Sequence, residues 1–406
     1  MMEKDNKTYI ELAENHIFHL VNRFPIVIER GEGCHLIDVE GRRYLDFFAG
    51  IAVCSLGYGN QAYLDALKEQ VERITHTSNW VYNRPAITAA ERLTQLSGMA
   101  RVFFTNSGAE AVEGAIKTAR KYAYQKKGAG KHGIIAMEAG FHGRTMGALS
   151  VTGTTAYRTP FEPMIGHVRF AEMNNYDSIL KHVDEDTCAI IVETVQGEGG
   201  IHPADGDFLR KVGKLCQEKG ILLIIDEIQC GIGRTGTMFA YQQYEIEPDI
   251  LVLGKALSNG IPVGAFLVSD DVAQNSLVPG DHGTTYGGNP LAMAAVNAVL
   301  EQIEEMNLID RVSQLAAYLT EKLEQMVAKH DFVVSRRGLG LMQGIECSGD
   351  VTPILKEALA RGLLIISAGA NVIRLIPPLI VTMNEIDEMI EILDRALCLG
   401  TDNEDT

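Results

Sequence analysis

No two cysteines in this sequence stand in a C-x-x-C spacing. The seven it has, Cys34, Cys54, Cys188, Cys216, Cys230, Cys347 and Cys398, are odd in number and scattered. That argues against a zinc site or a disulfide framework and suits a reducing compartment. No apolar run approaches the roughly 20 residues that span a bilayer. The N-terminus, MMEKDNKTYIELAENH, mixes charges and lacks the apolar core of a signal peptide. A cytoplasmic protein with no membrane partner is expected. Basic residues are the minority: 36 Lys and Arg stand against 53 Asp and Glu, a net charge of −17. That balance disfavours nucleic acid and anionic membranes as partners. Internal repeats and low-complexity segments are missing, and no Gly-Lys-Ser/Thr ends a glycine-rich loop, so this is not a P-loop protein.

What is present is ordinary for a globular enzyme: 406 residues, 46% hydrophobic and 22% charged. The length suits two or three domains. Near the start, Gly41-Arg42 is a hairpin turn between two alternating segments. Residues 62–74 have apolar side chains at helical spacing. From about residue 85, strand-like runs at 101–105, 133–137, 188–193, 221–225, 250–253 and 264–268 alternate with helical stretches. Such alternation predicts βα units and a mostly parallel sheet with helices on both faces, an α/β fold. Long helices are predicted over 290–306 and 312–329. Beyond them come two strands within 332–346, a helix at 354–361, strands at 363–367 and 372–375, and a helix at 384–397. That last part reads as a smaller α+β domain. The TDNEDT tail is expected to fray.

The chemistry concentrates where strands end. The run 221–225 meets Asp226 and Glu227, and the run 250–253 ends in Gly254-Lys255. A lysine at a buried strand end, opposite an acid, suits Schiff-base chemistry. Ser107-Gly108-Ala109 follows a strand and opens a helix, which makes either a phosphate cradle or a simple N-cap. Phe141-His142-Gly143-Arg144 puts an aromatic, an imidazole and a guanidinium on one loop, suited to stacking on a flat cofactor and forking onto a carboxylate; on composition alone the plainer reading is a core Phe beside a surface Arg. Glu193 and Glu198 flank a glycine turn, and their spacing fixes no metal geometry. Thr284-Thr285 with nearby glycines precedes a helix and suits an anion or an ordinary cap. Arg374 sits inside an apolar strand, where it needs an acidic partner or an acidic substrate.

These strings, in this order, resemble the class III aminotransferases, the ornithine and 4-aminobutyrate type, with the acetylornithine branch nearest. RFPIVIERGEG, YLDFFAGIAV, FFTNSGAEA, FHGRT, VQGEGG, ILLIIDEIQCGIGRTG, PGDHGTTYGGNP and NVIRLIPPLIVT carry the resemblance over nearly the whole chain. It implies a fold-type I enzyme with pyridoxal 5′-phosphate (PLP) and no metal. The large PLP-binding domain would be 61–305. The smaller domain would combine 1–60, which includes an N-terminal arm, with 306–406.

The resemblance also implies roles. Lys255 would bond to the cofactor and move protons, and Asp226 would pair with its ring nitrogen. Gln229 would lie near the ring's 3′-oxygen, and Phe141 would stack on the ring. Ser107, Gly108 and Ala109 would hold the phosphate, with Thr285 reaching it from the partner in a homodimer. Arg144 and Thr284 would contact the amino-acid substrate. Arg374 would take the α-carboxylate of 2-oxoglutarate or glutamate, with Glu198 pairing with it otherwise. The implied reaction moves the ω-amino group of N2-acetylornithine, or a similar amine, to 2-oxoglutarate by a ping-pong mechanism. Ornithine, succinylornithine, diaminobutyrate and 4-aminobutyrate are the alternative donors. A phosphate- or nucleotide-binding module without catalysis is the reading from another class; it leaves Lys255, Arg144 and Arg374 unexplained. Val21 stands where the family often has a tyrosine, and Thr284 where serine is usual.

Overall fold

The computed structural model describes residues 5–400, so the tail expected to fray lies outside the described residues. The N-terminal helix, Asn6–His16, is capped by Asp5, whose side chain accepts from Thr8 N. A meander follows: β1 (Ile28–Glu32), β2 (His35–Asp38) and β3 (Arg43–Asp46) are antiparallel neighbours, with the Gly41 turn between the last two.

The large sheet has seven strands. They are β4 (Arg101–Thr105), β5 (Gly133–Met137), β6 (Val168–Ala171), β7 (Thr187–Glu193), then β10 (Leu222–Asp226), β11 (Ile250–Leu253) and β12 (Gly264–Val268). A small hairpin, β8 (Val195–Gln196) and β9 (His202–Pro203), projects after β7. The spatial order is β4-β12-β11-β10-β7-β5-β6. Only β12 runs antiparallel to its neighbours. The apolar runs supply both faces because side chains alternate along a strand. Ile190, Val192, Leu223, Ile225, Leu251 and Leu253 enter one core. Ala189, Ile191, Leu222, Ile224, Ile250 and Val252 enter the other. All seven residues of β7 are buried, as expected for a strand covered on both sides.

The sequence pattern does not mark β6. Its string is Val-Arg-Phe-Ala at the sheet edge, half-buried, and its Arg169 pairs outward with Asp184. A second difference concerns 363–367. One strand is expected there, but the chain makes two: β15 (Leu363–Leu364) joins β3 in parallel, and β16 (Ile366–Ser367) joins β17 (Val372–Leu375). The remaining sheet is β13 (Val333–Leu339), β14 (Met342–Cys347), β17 and β16, in that order.

The helix Gly108–Lys127 lies against the large sheet because its inner face is small: Ala111, Gly114, Ala115, Thr118 and Ala119 are all buried. A Cβ built on Gly114 would come 2.2 Å from Phe266 of β12. Gly114→Ala should therefore destabilise the protein by about 1–3 kcal/mol, since overpacking outweighs the better helix propensity of alanine. Scanning calorimetry should show a lower melting temperature with an unchanged far-ultraviolet spectrum.

Candidate functional site

Strand register builds the site. Asp226, the last residue of β10, pairs with Glu193 at the end of β7 and with Val252 of β11. The chain then passes Gly254, and Lys255 follows in the left-handed region at φ 43°. Two carboxylates and an amine thus reach one sheet edge, at the carboxyl ends of the strands where α/β folds place ligands. A non-glycine residue at such a φ is strained, and a functional site is where that strain is commonly kept. The neighbouring turn shares it. Ala49, Gly50, Ile51 and Ala52 all have positive φ, and this turn packs on the Lys255–Ser258 turn.

These strand ends open onto a cavity of about 310 Å³ lined by Gly108, Ala109, Phe141, His142, Gly143, Arg144, Glu193, Asp226, Ile228, Gln229 and Lys255. Ser107 caps the Gly108–Lys127 helix, its hydroxyl accepting from Glu110 N at 3.2 Å. Cap and anion cradle are compatible: the first amides of a 20-residue helix still point outward at the cavity's edge. Two glycines keep this cradle tight. A Cβ on Gly108 would come 2.7 Å from Ile228, and one on Gly143 would come 2.8 Å from Ala109.

Asp226 is buried and well held. Its Oδ1 accepts from Ile228 N at 2.9 Å, and its Oδ2 lies 2.7 Å from His142 Nδ1. A carboxylate only accepts, so Nδ1 carries the hydrogen. Burial alone would lower the His142 pKa, but the bond to Asp226 and the charges of Asp226 and Glu193 outweigh it and raise it. Glu193 is buried too, which pushes its pKa up to about 7. Glu227, read beside Asp226 as a site acid, faces the other way. Its two oxygens accept from Ala240 N at 2.8 Å and Tyr241 N at 2.6 Å.

Arg374, in the buried strand β17, meets Glu198 at 2.6 Å and donates to Gln229 Oε1 at 3.3 Å. Its Nε is buried and unpartnered. Glu198 has its pKa lowered: burial works against this, but Arg374 outweighs it. Lys255 has its pKa lowered chiefly by burial, with Arg374 adding to the effect and Glu198, Asp226 and Glu193 opposing it. Arg144 is exposed, its guanidinium carbon 3.7 Å from the centre of the Tyr157 ring and 5.5 Å from that of Phe141.

Most of the expected site residues thus come together. Gly108, Ala109, Phe141, Arg144, Asp226, Gln229 and Lys255 line the cavity, and Glu198 and Arg374 adjoin it through Gln229. Thr284 and Thr285 do not line it. The Thr284 hydroxyl accepts from Asn106 Nδ2 at 2.7 Å, beside the cap of the helix, and Thr285 is exposed. Val21 is exposed on the N-terminal arm. His142 is the residue whose part the sequence leaves unread. Its signal is Asp226 itself, since a buried carboxylate needs a donor. Gly231 to Gly236 has the spacing G-x-G-x-x-G directly after β10. No helix begins there, however, so the phosphate-binding element of a dinucleotide fold is lacking.

The donor set fits PLP. It offers a helix start for a phosphate, a buried acid for a ring nitrogen, an aromatic wall and a deprotonatable lysine.

Comparison with known proteins agrees with this geometry. The profile described as "Aminotransferase class-III" matches residues 18–397. A protein named acetylornithine aminotransferase from Archaeoglobus fulgidus is 44% identical over 95% of this chain and 99% of its own. One of the same name from Bacillus subtilis is 45% identical over 94% of this chain and 97% of its own. Among solved structures, the ornithine aminotransferase from Toxoplasma gondii, described with partial occupancy of PLP at the active site, superposes with a TM-score of 0.95. It is 30% identical, over 100% of this chain and 97% of that one. Acetylornithine aminotransferase from Elizabethkingia anophelis gives 0.87 at 32% identity, over 98% of this chain and 100% of that one.

The buried Glu227 carries a pH prediction. Burial raises its pKa from the ordinary 4.5 to about 8. The unfolded chain therefore loses this proton first, and its contribution to stability, full below about pH 4.5, is lost as pH rises through about 8. Glu227→Gln should flatten the fall in melting temperature across that window, even if the variant is less stable at every pH.

Proposed function

The chain belongs to the class-III aminotransferases, and on that premise we propose that it moves the ω-amino group of N2-acetylornithine, or a close analogue, to 2-oxoglutarate. The enzyme is a PLP-dependent transaminase; glutamate and a semialdehyde are the products of the proposed reaction, by a ping-pong mechanism. The observation that carries the reading is the Glu198–Arg374 pair beside Lys255. A pocket that must admit an amine and then a dicarboxylate needs a guanidinium that is masked for one and free for the other. Glu198 supplies the mask, and its departure exposes Arg374 to a substrate carboxylate. Acetylornithine is favoured over ornithine because relatives of that name share more sequence with this chain than the ornithine-named structures do.

When bound, PLP withdraws electrons from the substrate carbon that bears the amine. The chain's residues do the rest. Lys255 would hold the cofactor, and its amine would take and return the substrate's proton as general base and acid. Its lowered pKa suits that work. Asp226 would keep the ring nitrogen charged. Gln229 would serve the ring oxygen, Phe141 the ring, and Ser107, Gly108 and Ala109 would hold the phosphate. Arg144 and Thr284 orient the amino-acid substrate.

Thr285 is assigned to the partner's site in a homodimer. Trp80 and Tyr82 are each 95% exposed, a large apolar surface for one chain. That segment is bonded to the threonine loop: Asn79 Nδ2 donates to Thr284 O and Asn83 Nδ2 to Gly288 O. A second copy covering these aromatics would also cover Thr285. No helix among the described residues is long and apolar enough to cross a membrane, and we assign the enzyme to the cytoplasm. We also read 61–305 as the PLP-binding domain, with 1–60 and 306–406 forming the smaller one.

Purified protein should bind PLP with a visible absorbance band that shifts on adding glutamate; wild-type protein that binds no PLP would end the transaminase reading. In a donor screen with 2-oxoglutarate, N2-acetylornithine should give the highest kcat/KM, and preference for ornithine or 4-aminobutyrate would displace it. Arg374→Ala should lower the 2-oxoglutarate half-reaction about 10- to 100-fold, the worth of a lost charge-assisted hydrogen bond. The amine half-reaction should fall less, and equal losses would contradict the masking role.

A further inference from the structure

Two buried groups at the cavity remain without a task. His142 is fully buried, and while its Nδ1 bonds Asp226, its Nε2 has no hydrogen-bond partner among the described residues. Glu193 is held by the backbone: Oε2 accepts from Phe141 N at 3.0 Å and Oε1 from Gly197 N at 3.5 Å. The two face one small space. A Cβ built on Gly140 would lie 3.4 Å from His142 Nε2 and 3.6 Å from Glu193 Oε2. Met137 O is nearer still to that point, at 2.9 Å, and glycine at 140 keeps a side chain out of the space beside an imidazole nitrogen and a carboxylate oxygen, both out of water. In so dry a place a buried charge needs a counter-charge.

We propose that Glu193 is a positioning residue: together with Asp226 it holds His142 as an imidazolium, and through it fixes the charge and orientation of the Asp226 carboxylate. The inference rests on reading Asp226 as the partner of the cofactor's ring nitrogen. One imidazolium lies between two carboxylates, so its Nδ1–H is a charged donor and Asp226 stays ionised and aimed. The titratable groups that face His142 are Asp226 from β10 and Glu193 from β7. On its own loop Arg144 turns toward Tyr157, and Lys255 faces both carboxylates across the cavity. The pKa directions agree: His142 is raised in spite of burial, and Glu193 is raised by burial and lowered by His142.

The test reads the imidazole directly. In histidine-labelled, PLP-loaded protein, nitrogen NMR should show both His142 ring nitrogens protonated at about pH 7.5, above the ordinary histidine range. Glu193→Gln should lower the midpoint at which Nε2 loses its proton by about one pH unit or more. Glu193→Asp, which keeps the charge, should restore most of it. In Glu193→Gln both half-reactions should slow about tenfold in kcat, the equivalent of one pKa unit, with KM for 2-oxoglutarate nearly unchanged. A neutral His142 in the wild-type protein at that pH overturns the proposal. So does an unmoved midpoint in a Glu193→Gln protein that still binds PLP; a purely structural Glu193 would give that result. Should Glu193→Gln fail to fold, the wild-type spectrum and Glu193→Asp decide. Failure of wild-type protein to bind PLP would sink the transaminase reading instead. The His142 titration in cofactor-free protein would then still decide the pairing with Glu193.

Discussion

A lysine that must act as an amine stands here among three carboxylates, and the site depends on keeping those charges from it. Asp226, Glu193 and Glu198 each pull Lys255 toward the ammonium form. Each also has a closer cation or donor. Arg374 takes Glu198, His142 takes Asp226, and backbone amides hold Glu193. Among the described residues Lys255 is left without a dedicated ion-pair partner, and burial then outweighs the residual attraction. Without Arg374, Glu198 would be an uncompensated carboxylate near the lysine. The arginine therefore acts on the lysine before any substrate arrives.

That balance rests on register. Asp226 and Glu193 share a side of the cavity because β10 and β7 pair in parallel with those residues opposite each other. A slip of either strand by one residue would turn its carboxylate to the other face and part the pair. The strain at Lys255 and in the Ala49–Ala52 turn is carried by the same well-packed surroundings. Asp46 supports that turn by accepting from the amides of Phe48 and Ala49.

Much of this was legible in the sequence, and the gaps have physical reasons. Central strands announce themselves because burial on two faces demands uninterrupted apolar runs, as at 250–253. The edge strand β6 does not, since Arg169 can leave its middle for solvent. The reversed direction of β12 has no signature of its own, because a buried strand needs the same residues either way. Asp226 and Lys255 were readable as strand-end groups. Glu227, one residue on, was not separable from Asp226 in the string, yet alternation sends it to the opposite side. Glu193 was visible as an acid, but its relation to His142 depends on a fold that brings residues 142 and 193 to one space. Thr284 and Thr285 were readable as an anion loop or a cap, their substrate and cofactor roles only by resemblance, and the single chain leaves Thr285 at the surface.

The pairing of β15 with β3 sets an order of events for a chain still being made. Leu363 and Leu364 lie beside Leu45 and Asp46, so the first meander of the protein is completed by residues about nine-tenths of the way along. At a synthesis rate of about 5–20 residues per second, the edge of β3 emerges roughly a quarter of a minute to a minute before its partner. During that interval a strand with buried-type side chains, Tyr44 and Leu45 among them, presents open backbone groups to whatever else is in the cell. The large sheet waits less: its edge strand β4 pairs with β12, which ends at Val268. The half of the molecule that carries Lys255 and Asp226 can therefore take shape while the half that carries Arg374 is still on the ribosome.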